Sequence, residues 1–163
     1  MLILAKNIRE FAFGKLMEVY TESCRENGEE FWPHEPPERQ LARAEQDFYD
    51  YLNRSFFATP GAVYAIWEEC GRYVSALRLE PYRDGLLLAA LETAPEHRRK
   101  GHARNLIRAV LLQYPGRKIY SHVGNKNIPS LKAHGSCGFK KIMDYAVYLD
   151  GSVNDRCCTL CHE

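Results

Sequence analysis

LLLAALETAPEHRRKGHARNLIRAVLL, residues 86–112, decides the fold. Its first part, residues 86–91, is an unbroken apolar run of strand length, and Pro95 follows shortly after. A basic turn with one glycine comes next, Arg98-Arg99-Lys100-Gly101. Beyond it Ala103, Leu106, Ile107, Val110 and Leu111 fall at the i, i+3, i+4, i+7, i+8 spacing of an amphipathic helix. A strand that passes through such a turn into a helix N-terminus makes a place for an anion. The first N–H groups of the helix have no partners within it, and its dipole is positive there.

Downstream of this stretch, Tyr114-Pro115-Gly116 stops the helix and residues 118–123 read as a strand. A right-handed crossover through the helix makes that strand parallel to 86–91. A short helix over about 128–137 closes at Gly138, and residues 139–149 and about 156–162 read as a closing hairpin. Upstream, residues 1–5 are short and apolar, as for an edge strand. Residues 8 to about 25 and 38–56 carry helical periodicity. Residues 62–68 and 72–80 read as strands joined at Cys70-Gly71, and Arg83-Asp84-Gly85 turns the chain into the central strand. The expected class is therefore mixed α/β, with antiparallel strands first, a central βαβ unit and a closing C-terminal hairpin. No repeat or linker divides residues 1–163, which read as one domain.

Between the first two helices, residues 26–37 (ENGEEFWPHEPP) carry three prolines, a glycine and four acids, and read as a loop. Phe31 and Trp32 lie there among Glu29, Glu30 and Glu35. They either form a wall for a cationic substrate or anchor the loop to the core.

A chain of 163 residues can bury a substantial core without disulfides. The formal net charge of +1 speaks against a general nucleic-acid binder. No stretch has the length of a transmembrane helix, and residues 1–5 are too short for a signal-peptide core before Lys6. The expected location is the cytoplasm. Of six cysteines, Cys137, Cys157, Cys158 and Cys161 lie late in the chain, where free thiols are expected over a single bridge. Cys158-Thr159-Leu160-Cys161-His162 matches a haem-attachment pattern, but a strand there puts Cys158 and Cys161 on opposite faces, so no metal or haem is expected.

Two segments in order carry a family likeness. Arg98-Arg99-Lys100-Gly101-His102-Ala103 fits the pattern Gln/Arg-x-x-Gly-x-Gly/Ala at the start of the helix after the fourth strand, with Pro95 three residues upstream. Asn127-Ile128-Pro129-Ser130, followed by Gly138-Phe139, fits a second pattern, Asn-x-x-Ala/Ser then Gly-Phe. On these residues the chain resembles the GNAT superfamily of acyl-CoA-dependent N-acyltransferases. The resemblance implies an acetyl-CoA-dependent N-acetyltransferase that works by direct transfer in a ternary complex, with an amine-bearing small molecule or a peptide as acceptor. A non-catalytic acyl-CoA sensor is the rival reading. The closing hairpin is the surface that the resemblance offers for a homodimer.

Physical chemistry gives these residues their expected tasks. The amides of residues 99–104 can converge on a pyrophosphate, Gly101 lets the backbone approach it, and Arg98, Arg99, Lys100 and Arg104 supply positive charge. The resemblance places Leu91 and Thr93 as backbone partners of the pantetheine arm. Asn127 either caps the short helix or bonds the arm. Glu92 is a carboxylate inside an apolar strand, either a general base for the amine or a paired structural group. Family members often carry a tyrosine seven residues after the asparagine, where this chain has His134. Its imidazole is either the acid that protonates the leaving thiolate or a structural group. His122, on the preceding strand, is a second candidate base.

Overall fold

The computed structural model describes residues 1–163. Seven strands make one sheet: β1 (Leu2–Ala5), β2 (Val63–Glu69), β3 (Arg72–Tyr82), β4 (Gly85–Thr93), β5 (Ile119–Gly124), β6 (Lys140–Met143) and β9 (Cys157–His162). Their order is β1-β2-β3-β4-β5-β9-β6, and β4–β5 is its one parallel pair. Strands β7 (Ala146–Val147) and β8 (Val153–Asn154) form a small ribbon of their own. Within the closing hairpin, β9 inserts between β5 and β6. Cys158, Thr159, Leu160 and Cys161 are all buried, so β9 needs cover on both faces, whereas the exposed Lys140 and Lys141 suit an edge.

Helices α1 (Phe13–Val19), α2 (Thr21–Phe31) and α3 (Pro37–Tyr51), the last continued by a wide turn over Leu52–Phe56, cover one face of the sheet. Leu16, Val19, Tyr20, Ala44, Leu52 and Phe56 pack there on Tyr64, Ile66 and Ala76. Helix α4 (His102–Gln113) covers the other face, where Leu106, Ile107 and Val110 meet Leu77, Leu79, Leu88 and Ile119. Helix α5 (Ile128–Gly135) lies beside α4 and is tied to it by Arg108, which donates to the Ser136 carbonyl at 3.4 Å.

The structure corrects the expected loop over residues 26–37. Helix α2 runs on to Phe31, and the connection shrinks to the few residues before Pro37. Gly28 is not a helix breaker here. It is buried where α2 crosses α3, and a Cβ added to it would lie 2.7 Å from the Gln40 carbonyl oxygen. The expected helix over residues 8–25 is also divided, at Tyr20, into α1 and α2.

Strand β4 carries a bulge with no sequence mark. Ala76 pairs with Glu92 and Arg78 with Ala89, so Ala90 and Leu91 together face Leu77. Ala90 takes φ +50°, a conformation that alanine adopts at a cost, and its carbonyl is held at 2.7 Å by the Tyr20 hydroxyl. Beyond the bulge Leu91 packs toward α4, while Glu92 turns to α2. Strand β5 follows β4 only as far as Leu88, which pairs with Ser121; past that point the two strands part.

Replacing an exposed helical glycine by alanine stabilises a helix by about 0.5–1 kcal/mol. At Gly28 the opposite sign is expected: Gly28→Ala should destabilise the protein by about 1–3 kcal/mol in urea unfolding, because α2 and α3 must move apart.

Candidate active site

The parting of β4 and β5 opens one wall of a cleft of about 950 Å³. Its other walls are the turn into α4, the start of α5 and the first turns of α2. At the α4 end the backbone does the shaping. Arg99 takes φ +60° and Gly101 φ +85°, and Gly101 is the N-cap of α4, left-handed positions that let successive backbone amides gather at the helix mouth. A Cβ on Gly101 would meet the Arg104 guanidinium at 3.3 Å as well as straining the backbone. Arg99, Gly101, His102, Ala103 and Arg104 all line the cleft. This is an anion cradle built from amides and two arginines.

Two of the expected basic groups have other tasks. Arg98 lines the cleft, but its Nε donates to the Thr93 carbonyl at 3.1 Å and its Nη2 pairs with Glu22 of α2 at 2.6 Å. It therefore straps α2 to the end of β4. Lys100 does not line the cleft; its Nζ donates to the Glu96 carbonyl at 2.9 Å. His102 is buried at the start of α4, with Nδ1 3.2 Å from a Glu69 carboxylate oxygen.

Leu91 and Thr93 face the cleft from β4, with the Thr93 hydroxyl 3.0 Å from that of Ser75. Asn127 is the N-cap of α5, its Oδ1 accepting from the Ser130 amide at 3.2 Å, and both residues also line the cleft. The capping role leaves the Asn127 side-chain NH₂ group free to face a ligand.

Glu92 sits at the other end, half-buried, and accepts a hydrogen bond from the Ser23 hydroxyl. Burial holds its carboxyl above the ordinary value of 4.5. The Ser23 bond and Arg98 oppose that rise, while Glu26 and Glu22 add to it. Glu22, Ser23 and Glu26 line the cleft from one face of α2. Their spacing was visible as an i, i+4 pair of acids, but which helix face meets β4 was not.

Three expectations are corrected. Glu29, Glu30, Phe31, Trp32 and Glu35 do not line the cleft. Phe31 is exposed, Trp32 packs on the core with Arg43 over its ring, and Glu35 pairs with Arg39 and Arg43. The one further helical turn of α2 carries these residues past the cleft. His134 does not reach the cleft either: it is 1% exposed, edge-on to Phe139 at 5.0 Å, with Nδ1 bonded to the Ser130 carbonyl at 2.8 Å. His122 stands on the α1–α3 face of the sheet between the Tyr82 and Tyr148 rings, outside the cleft. Burial lowers the His134 pKa, so in the native state the ring stays neutral where the unfolded chain would take up a proton. Its contribution to stability is thus expected to decline as pH falls below about 6.5. His134→Gln should flatten that decline in unfolding midpoints measured from pH 7 to 5.

The comparisons with known proteins agree with this geometry. The profile of the acetyltransferase (GNAT) family matches residues 15–139. The PaiA N-acetyltransferase of Thermoplasma acidophilum, solved with coenzyme A, aligns with a TM-score of 0.64 at 14% identity, over 100% of this chain and 99% of its own. The spermidine N-acetyltransferase of Vibrio cholerae, solved with coenzyme A and spermine, aligns with a TM-score of 0.62 at 19% identity, over 99% and 94%. The ribosomal-protein-S18-alanine N-acetyltransferase of Escherichia coli aligns with a TM-score of 0.58 at 13% identity, over 99% and 92%. At these identities the likeness is one of fold. A search of curated proteins by sequence finds no match. Because the family profile spans most of the sequence and takes in both β4 and the turn into α4, the chain belongs to the acetyltransferase (GNAT) family.

Proposed function

We propose that this protein moves an acetyl group from acetyl-CoA to a primary amine by direct transfer, with both substrates bound together. The observation that carries the reading is the line-up along β4. An amide cradle at α4 and a half-buried carboxylate at Glu92 sit at the two ends of one cleft, joined by a strand edge that β5 has left.

Acetyl-CoA fits the residues present. The diphosphate suits the amides of residues 99–104 with Arg99 and Arg104, where Gly101 leaves room for it. The amide-rich arm suits the unpaired edge of β4 near Leu91, opposite Asn127 and Ser130 on α5. Once bound, acetyl-CoA supplies an acyl group activated as a thioester.

The chain's own residues do the rest. An amine at neutral pH is mostly protonated, and only the neutral form attacks. Glu92 takes that proton; as the C–N bond forms and the C–S bond breaks, a second proton of the attacking nitrogen passes to the leaving thiolate, which departs as the thiol of coenzyme A. Its raised pKa brings it closer to the working pH than an ordinary glutamate, and the Ser23 hydroxyl fixes the carboxylate's direction. The β4 amides beyond Leu88 are the donors available to negative charge that develops on the carbonyl oxygen.

Two measurements test this. Gly101→Ala should weaken coenzyme A binding by more than about 10-fold in calorimetry, since the side chain both strains φ +85° and crowds the cradle. Glu92→Gln should leave that binding unchanged and lower kcat by about 100-fold or more. In the native protein kcat/KM falls as pH drops through the Glu92 pKa, above 4.5, because protonation removes the base; the substitution should abolish that limb. Tight coenzyme A binding without amine-dependent thiol release would overturn the catalytic reading in favour of a sensor.

A further inference from the structure

Five buried side-chain polar atoms lack a hydrogen-bond partner. Three of them, Tyr64 Oη, Arg78 Nε and His122 Nε2, lie on the sheet face that carries α1–α3. Arg78 stands in the middle of β3, paired with Tyr64 on β2 and with Ala89 on β4. Its guanidinium carbon lies 4.9 Å from the Tyr51 ring centre and 5.8 Å from that of Phe56. It takes part in none of the molecule's ion pairs. Glu80, the next residue of β3 on this face, is itself buried; burial pushes its carboxyl up, and Arg78 opposes that rise without forming an ion pair with it. A half-buried guanidinium that makes no ion pair is costly.

Arg78 and Glu92 belong to the same face of the sheet. Between them on β4, Ala89 and Ala90 are small and partly exposed, and the buried Tyr20 covers the Ala90 carbonyl. Ala76, which pairs with Glu92, and Arg78, which pairs with Ala89, are successive same-face residues of β3. Such residues lie roughly 7 Å apart along a strand. That backbone spacing makes Glu92 and Arg78 near neighbours on one face, so that one small molecule carrying an amine and an acid group can address both.

We propose that Arg78 binds a carboxylate of the acceptor, so that the acceptor is a small amino carboxylate whose amine reaches Glu92. This rests on the reading of Glu92 as the amine's base. The planar fork of Arg78 matches a carboxylate in a bidentate way, and the Tyr51 and Phe56 rings hold the fork in place from one side.

The test uses the full chain loaded with coenzyme A and two matched probes, N-acetylglycine and its neutral amide. Calorimetry should show the acid binding about 10–100-fold more tightly than the amide. Arg78→Met should erase the difference, and Arg78→Lys should keep part of it. Equal affinity of native protein for the two probes, binding of neither, or a loss in Arg78→Met that is the same for both would overturn the proposal. The last result would mean that the arginine serves only to pack α3 on the sheet. In rate measurements on amino acids and their amides, the same substitution should raise KM for the acids alone, with kcat retained. Turnover of amines with no preference for the acid would reject the Arg78 site and leave acetyl transfer standing. Acid-selective binding with no turnover of any amine would reject the transfer and leave the Arg78 site.

Discussion

Strands β4 and β5 hold together over three register pairs, Leu86 to Leu88 against Ile119 to Ser121, and then separate. The rest of the site depends on that separation. Two parallel strands that stayed paired would satisfy each other's amides and leave no cleft between α4 and α5. The bulge at Ala90 bends β4 where the pairing ends, and the cost of its φ +50° is offset by the Tyr20 hydroxyl and by packing against the α1–α3 core. The bulge also decides which way Glu92 points. The extra residue shifts the alternation of the strand, so that Leu91 meets the α4 face and the carboxylate meets Ser23.

The cleft is electrically polar along its length. Curled amides, Arg99 and Arg104 make one end positive, and Glu22, Glu26 and Glu92 make the other negative. Arg98 joins the two ends, holding the Thr93 carbonyl on one side and Glu22 on the other. The anion cradle and the wall that carries Ser23 are therefore braced against each other, which keeps Glu92 at a set distance from the α4 turn. Burial raises the Glu92 pKa, and the neighbouring Glu26 and Glu22 add to that rise.

Much of the frame was legible because its signals are local. The apolar run of β4, the stripe on α4, the Cys70-Gly71 turn and the two motif segments each report on neighbours within a few residues, and each element lies where expected. Other features were misread because one residue type serves two purposes. Gly28 among acids and prolines reads as a breaker, yet it is the contact that lets α2 cross α3. His134 shares a helix with Asn127 and Ser130, but a helix of two turns cannot aim all of its faces at one cleft, and Phe139 takes the imidazole. Lys100 counts as charge in the motif, while its ammonium group is bound behind the turn.

The sequence by itself determined most of the order of elements, the crossover through α4 and the need for a bare backbone at Gly101, since each follows from periodicity or from the space one position requires. Only the tertiary structure decided that β4 bulges at Ala90, that α2 and not the connection after it faces Glu92, and that the Arg78 Nε is left without a hydrogen-bond partner. These are relations between segments tens of residues apart. They arise when two helices and a strand compete for one surface, and no pattern within any single segment encodes the outcome.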